Sequence, residues 1–291
     1  MKKVAILYIA LGRYSVFWKE FFESCEEKLN PCEKHYFVWT NVPQSELAYG
    51  SEPNVTIIPA KKLGWPYDRL LRFQMFSDQE AELSKFDYVF FFNANFQFYN
   101  DVDLAEITPQ EWHDGLIAGI HPNILTHDVS NPDKHGYERR PESTAYVPYG
   151  KGKHYVCGAF NGGTSAGFLK MCKTLAKNIQ TDLDNNIVAC VDDESHLNAY
   201  LIDKKFLVCG PAYGFQDRHL KRLRPRQRTM VKIISRSKDS PKYGGTRYLR
   251  EETNRKIPNN FLTPVMKTIF RFCSMFVSSR KKRHKLRSYF G

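Results

Sequence analysis

No stretch of this 291-residue chain reaches the ~18 to 20 consecutive apolar residues that a membrane-spanning helix needs. The apolar start, MKKVAILYIALGRY, ends at Gly12-Arg13 without a small-residue cleavage pattern, so it reads as a first β-strand and not as a signal peptide. Paired cysteines are lacking too. The seven cysteines (Cys25, Cys32, Cys157, Cys172, Cys190, Cys209, Cys273) are odd in number, scattered, and none forms C-x-x-C. That argues for thiols in a reducing cytosol over a disulfide framework or a zinc site. No zinc knuckle, RRM signature or helix-turn-helix signal is present, so the many basic residues have no nucleic-acid motif beside them. Acidic residues are scarce in the C-terminal quarter. Residues 1–217 carry a net charge of −7, residues 218–250 carry +11 and residues 251–291 carry +8. An acidic body is joined to a basic end, and the two need separate explanations.

Strand and helix patterns alternate from the start. Lys3–Ala10 is a β-branched and aliphatic run, hence a buried strand. Apolar residues at helical spacing predict a helix over Ser15–Leu29, with Ser15 as its N-cap. His35–Thr40 and Val55–Ala60 read as strands, Pro66 to about Leu83 as an amphipathic helix, and Asp87–Phe92 and Leu116–Ile120 as strands. Gly162-Gly163-Thr164 opens a helix to about Asp182, a short helix runs from Asp192 or Asp193 through Leu201, and Phe206–Cys209 is a strand. The pattern predicts an α/β sheet built by crossovers, with ligand sites at the C-terminal ends of its strands. After about Arg250 the alternation stops. The domain boundary therefore falls there, with an α/β domain over 1–250 and a basic amphipathic tail over 251–291.

Five segments offer chemistry. The strand FDYVFFF ends in Asn93-Ala94-Asn95, which can form a turn or hold sugar and diphosphate oxygens. Two neutral amides hold Mg²⁺ or Mn²⁺ poorly. VDDESHLNAYL places Asp192, Asp193 and Glu194 at a helix start, where acids suit the helix dipole. A carboxylate there can also act as base, nucleophile or stabiliser of an oxocarbenium ion. His196 beside them reads as a satisfied surface histidine unless it faces the site. The glycines of CGAFNGGTSAG (Cys157–Gly167) allow a ligand to approach the backbone, although neither a Walker A motif nor G-x-G-x-x-G is formed. The polar, proline-containing His121–Pro148 reads as a long loop, functional or disordered, whose Arg139-Arg140 pair either binds an anion or makes structural ion pairs. The basic run from Arg218 to Lys242 can neutralise a diphosphate with one or two of its residues.

Taken together, HPN…YERRPESTAYVP, GAFNGGT and DDESHLNAYL resemble glycosyltransferase family 6 over roughly residues 3–250, in the family's order and spacing. The resemblance implies a GT-A fold, a Rossmann-like mixed central sheet flanked by helices. It also implies retaining transfer of galactose or N-acetylgalactosamine from UDP to the 3-hydroxyl of a β-galactoside, with fucose required on some acceptors. Carried over position by position, it makes Ile9, Ala10, Leu11 and Tyr14 the uridine-binding strand end. Arg72 matches a donor-side arginine and His121 an acceptor contact. Cys157-Gly158-Ala159 is the triplet that sizes the donor pocket. Asp193 is a donor-sugar contact, Glu194 the carboxylate under the anomeric carbon (and near the acceptor), and Lys238 a basic cover for the diphosphate. Asn93-Ala94-Asn95 falls where animal members carry a metal-binding D-x-D. Bacterial members with N-x-N act without metal, so no metal and no cofactor is expected. Val191, Asp192 and Gly136 depart from the family's tryptophan, histidine and threonine, on the acceptor side.

The charge a metal would bring must then come from side chains, with Arg72 and Lys238 first and Arg236 and Lys242 in reserve. The small Cys157 favours UDP-GalNAc over UDP-Gal. The chain has no N-terminal membrane anchor, which suggests a bacterial cytosolic enzyme. The tail, with apolar residues at helical spacing and RKKRHKLR after them, suits an anionic membrane surface such as the inner face of a bacterial plasma membrane. A nucleic-acid-binding protein and an inactive sugar-binding module are the rival readings, and retention of Asp193-Glu194 argues against the second.

Overall fold

A computed structural model of the chain describes residues 1–122 and 131–251. The tail over 252–291 and part of the long loop, both singled out above, lie outside the described residues. One compact unit spans Met1–Glu251. Its strands are β1 (Lys3–Ala10), β2 (Leu29–Asn30), β3 (Glu33–Thr40), β4 (Val55–Pro59), β5 (Tyr88–Phe92), β6 (Phe96–Phe98) and β7 (Val102–Asp103). They continue as β8 (Leu116–Ile120), β9 (Val156–Thr164), β10 (Phe206–Cys209), β11 (Phe215–Gln216) and β12 (Ile233–Ser235). Seven of them form one sheet in the order β10-β8-β9-β5-β1-β3-β4. β1 runs parallel to both β3 and β5, β3 to β4, and β8 to β10. Within this sheet β9 runs antiparallel to both its neighbours, β5 and β8. The result is a mixed, GT-A-like sheet with helices on its faces.

Alternation along β1 divides the core. Val4, Ile6, Tyr8 and Ala10 face α1 (Trp18–Lys28), packing with Trp18, Phe21 and Phe22. Ala5 and Leu7 face the other way, toward Phe73, Phe76, Phe168 and Leu175. Residues of both faces are buried, which is why β1 reads as an unbroken apolar run. β3 and β5 diverge on opposite sides of β1, so a crevice opens beyond the C-terminal ends of β1 and β5.

Three local expectations are corrected. The chain leaves β1 through Gly12 at φ +54° and winds as a 3₁₀ helix over Gly12–Phe17 before α1 begins at Trp18, so Ser15 caps nothing. The segment from Pro66 is three short helices, α2 (Tyr67–Leu70), α3 (Arg72–Ser77) and α4 (Glu80–Leu83), broken at Leu71 and again at Gln79, whose ψ values of 4° and 19° leave the helical region. Gly162-Gly163-Thr164 ends β9, and α5 (Ser165–Asp184) starts after it, capped by Thr164, whose Oγ1 accepts from Gly167 N–H at 3.2 Å.

Two glycines of β9 serve strand packing. A Cβ on Gly162 would lie 2.5 Å from the Val89 carbonyl oxygen, and one on Gly163 only 1.9 Å from that of Gly115. Their lack of a side chain lets neighbouring strands pack. Gly163→Ala, at φ +152°, should therefore lower the unfolding free energy by roughly 3 kcal/mol or more. Gly150→Ala, at φ +77° in open space, should lose only about 1 to 2 kcal/mol. Equal urea midpoints for the two variants would contradict this packing.

Candidate active site

The crevice is lined at its base by Ile9, Leu11 and Tyr14 from the end of β1, and by Phe91, Asn93 and Ala94 from the end of β5. Ala10 is fully buried with its side chain in the core, so only its backbone can serve a ligand there. Its carbonyl already accepts from Thr40 Oγ1 at 2.8 Å. Trp65 is the exposed aromatic of the rim.

Cations dominate the rest of the lining: Lys62, Arg69, Arg72, Lys238 and Arg250. Arg72 is buried and rests on the Phe91 ring, 4.4 Å from its centroid. Its Nη1 donates to the Gly158 carbonyl at 2.7 Å, and its Nη2 lies 2.6 Å from Asp193 Oδ2. Arg69 binds Asp192 and has its Nε 3.7 Å from Asp193 Oδ1. The three acids of α6 (Asp192–Leu201) thus do not merely answer the helix dipole. Two of them neutralise the arginines of α2 and α3. Asp192 is raised from its ordinary range by burial, against the opposing pull of Arg69.

Lys238 completes the ring of charge. Its ammonium sits over the Tyr14 ring, 5.2 Å from the centroid. Burial, then the nearby Arg69 and Arg250, push it down to about 8. Among the described residues Lys238 makes no ion pair. Arg236 and Lys242, the reserve cations, are used elsewhere. Arg236 Nε donates to Gln97 Oε1 at 2.6 Å, and Lys242 binds Glu20. α8 (Thr246–Arg250) closes the open side. Lys62 Nζ donates to the Arg250 carbonyl at 3.1 Å and pairs with Glu251 at 3.0 Å, while Arg13 Nη1 donates to the Tyr248 carbonyl at 3.0 Å.

Asn93 and Asn95 are unlike each other. Asn95 is buried, and its Nδ2 donates to Ser235 Oγ at 3.0 Å and to the Arg236 carbonyl at 2.7 Å. Its Oδ1 accepts from Asn93 Nδ2 at 2.9 Å. Asn95 therefore fastens the end of β12, and the segment carrying Lys238, to the turn after β5. Asn93 stays at the crevice wall. Tyr8 Oη donates to the Ala94 carbonyl at 2.7 Å from within the core, fixing the turn from below.

Glu194 stands where β9 and α6 meet, near the crevice residue Arg72: a Cβ on Gly158 would lie 3.2 Å from Arg72 Nη2 and 3.5 Å from Glu194 Cβ. Its Oε2 accepts from Gly158 N–H and its Oε1 from Tyr155 Oη, both at 2.8 Å. Asn198, one turn on, pairs with both backbone groups of Val156 at 2.9 Å as a strand would, and so docks α6 against β9. Gly158 is tightly enclosed, since a Cβ would stand 3.2 Å from both Arg72 Nη2 and Asp193 Oδ2 and one of them would have to give by a few tenths of an ångström. Burial raises the phenol of Tyr155 and the thiol of Cys157, and in both Glu194 adds to the rise. Ala159 accepts from Asn93 N–H at 2.8 Å through its carbonyl, and His121 N–H donates to the Tyr155 carbonyl at 3.0 Å.

Other sequence candidates stand outside the site. His196 is buried, not on the surface, with Nε2 3.7 Å from Asp182 Oδ2 and Nδ1 3.5 Å from Thr144 Oγ1, and burial lowers its pKa. Arg139 donates to the carbonyls of Val147 and Pro148 at 2.7 and 2.6 Å, and Arg140 pairs with Glu138 at 2.6 Å. Both arginines brace the loop, which decides between the two uses left open for them. Arg69, Lys62, Arg250 and Tyr155 were missed. Only Arg69 had a sequence signal, its i,i+3 spacing from Arg72.

If a nucleoside diphosphate binds in this crevice, it should raise Lys238 from about 8 toward its usual lysine value and take up a proton near that pH. UDP affinity should be strongest below pH 8 and weaken as pH rises through it. Titration calorimetry in buffers of different ionisation enthalpy should show the uptake, and Lys238→Arg should abolish it because arginine stays charged. Identical profiles for the two proteins would contradict the assignment.

Known proteins bear on this arrangement. The profile of glycosyltransferase family 6 matches residues 2–243. The O-antigen biosynthesis glycosyltransferase WbnI of Escherichia coli is 31% identical over 244 residues, covering 83% of this chain and 97% of that one. The globoside α-1,3-N-acetylgalactosaminyltransferase 1 of Mus musculus is 28% identical over 81% of this chain and 67% of its own. The histo-blood group ABO system transferase 2 of Rattus norvegicus is 29% identical over 75% and 64%. Six of the seven cysteines are described, and all six are unpaired. No helix of the described residues is long and apolar enough to cross a membrane. With a family profile that spans residues 2–243 and a glycosyltransferase relative 31% identical and covered to 97% of its length, the chain belongs to glycosyltransferase family 6.

Proposed function

We propose that this enzyme transfers N-acetylgalactosamine, or galactose, from its UDP-sugar to the 3-hydroxyl of a β-galactoside with retention of configuration, and that it does so without a metal ion. The observation that carries the reading is the placement of Glu194, held by Tyr155 and Gly158 beside a crevice lined by five cations. Uridine lies against Ile9, Leu11 and Tyr14. The diphosphate lies near Asn93, between Arg69, Arg72 and Lys238. As the sugar–phosphate bond breaks, negative charge grows on the leaving UDP. A unit charge ~4 Å from a cation gains of order 4 kcal/mol at an effective dielectric of about 20. Two such contacts approach what a divalent ion would contribute as a Lewis acid. The donor set supports metal independence. Asn93 and Asn95 are neutral, and the Asn95 side chain is already committed to Ser235, Arg236 and Asn93.

Glu194 faces the anomeric carbon, as nucleophile or as partner of an oxocarbenium ion. Asp193 holds Arg72 and reaches the donor sugar. The stretch Cys157-Gly158-Ala159 borders the sugar's 2-substituent, and the small Cys157 leaves room for an N-acetyl group. His121 contacts the acceptor. The similarity to an O-antigen glycosyltransferase favours a lipopolysaccharide-type glycan, fucosylated or not. In that setting the enzyme works in the cytoplasm, and the basic tail from 251 onward attaches it to the inner face of the plasma membrane.

UDP-GalNAc and UDP-Gal, each with EDTA, should be screened against lactose and 2′-fucosyllactose. The α-linked trisaccharide or tetrasaccharide should form in chelator, as the proton coupling of its anomeric signal reports. Glu194→Gln should slow transfer by about 10² or more while UDP affinity stays within a few-fold. Activity that vanishes in EDTA and returns with Mn²⁺ would defeat the metal-free reading. For the tail, truncation at Glu251 should abolish sedimentation with phosphatidylglycerol-containing vesicles and leave transfer to soluble lactose intact. Unchanged sedimentation would remove the tail from the attachment.

A further inference from the structure

Where β9 and α6 meet, three metal-ligating side chains converge that no step of the proposed transfer uses together. One ligand atom each from His121, Cys157 and Glu194 lies within 4.8 Å of the other two. Each belongs to a braced piece of backbone. His121 N–H is bound to the Tyr155 carbonyl at 3.0 Å, Cys157 stands in β9 beside Gly158, and Glu194 is held by Tyr155 and Gly158. All three are half-buried, so they are reachable from solvent without unfolding the site.

We propose that His121, Cys157 and Glu194 form an inhibitory site for a thiophilic divalent cation, zinc above all. An imidazole, a thiolate and a carboxylate are the donor types zinc takes, and three protein ligands with a fourth open position match its tetrahedral habit. Bond lengths of about 2.0 to 2.3 Å put tetrahedral donors roughly 3.4 Å apart. The three atoms therefore close by ~1 Å or a little more, within reach of rotamer adjustment. Mg²⁺ and Mn²⁺ prefer oxygen donors and would gain little from the thiol. Binding replaces the Cys157 S–H bond with an S–Zn bond and releases that proton to solvent. The two hydrogen bonds to Glu194 serve as outer partners that fix the ligand's orientation. The site is separate from the Asn93-Ala94-Asn95 turn, so a metal here occupies the place of the reacting carboxylate and not that of the diphosphate.

The metal site stands on these side chains alone. Its inhibitory effect rests on the proposed role of Glu194, and the two can fail separately. The purified full chain should be titrated with Co²⁺ as a spectroscopic substitute and with Zn²⁺ against a chromophoric chelator. One equivalent of Co²⁺ should give a thiolate-to-cobalt charge-transfer band that Cys157→Ser lacks, although its melting curve is unchanged. His121→Ala should bind zinc about tenfold more weakly or worse. Glu194→Gln supplies a second variant should Cys157→Ser fold poorly, and it too should weaken zinc binding. In the transfer assay zinc should inhibit competitively with the acceptor, and EDTA should reverse the inhibition. Absence of the band in the wild-type protein, or its persistence in Cys157→Ser, overturns the site. A cysteine-dependent band with transfer unaffected by zinc upholds the site and instead removes Glu194 from the reacting position.

Discussion

The crevice depends on one buried ion contact, Arg72 with Asp193, each about 3% exposed at its side chain. Two charges so far from water are tolerated only as a pair. Removing one partner of such a pair typically costs about 3 to 5 kcal/mol, because the other remains buried and unmatched. The pair also fixes position. Arg72 reaches the Gly158 carbonyl, Gly158 N–H reaches Glu194, and Asp193 is the residue before Glu194. Helix α3, strand β9 and helix α6 are thereby joined beside the crevice. Gly158 has no side chain because the pair occupies that space.

Around this pair the crevice gathers more positive charge than it neutralises locally. Arg69 is matched by Asp192 and, at longer range, by Asp193. Lys62 is matched by Glu251. Lys238 makes no ion pair among the described residues, and its lowered pKa reflects burial beside Arg69 and Arg250. A site built this way is preorganised for an anion. Its electrostatic work is done before the ligand arrives, which is the condition under which fixed charges help a leaving group most.

Much of the fold is legible in the sequence, where local pattern and tertiary burial agree. β1, β5, β8 and α6 follow from aliphatic runs and helical spacing because both faces of the sheet are covered. β9 is not legible as a strand. Its Gly162 and Gly163, which mask the strand pattern, serve the close packing of β5 and β8 against it. The helix predicted over Pro66–Leu83 breaks at Leu71, and periodicity cannot report a single residue whose ψ leaves the helical region. Arg72, Lys238, Asp193 and Glu194 are picked out by motif position; Arg72 and Lys238 line the crevice, and Asp193 pairs with Arg72. Asn95 shows the limit of that reasoning. It lies in the motif, yet its side chain ties β12 to β5 instead of facing the crevice. Lys62, Arg250 and Tyr155 reach the site only through tertiary contacts separated by many residues, and no local pattern marks them.

The central claim is that side chains, not a metal ion, carry the charge that receives the diphosphate. Calorimetric titration of UDP into metal-stripped protein, in chelator and again with Mn²⁺, tests it most directly. The claim predicts the same dissociation constant in both, with Arg69→Ala and Lys238→Ala each weakening binding by about tenfold, the equivalent of ~1.4 kcal/mol. Binding that appears only with Mn²⁺, and is indifferent to those two residues, would contradict it.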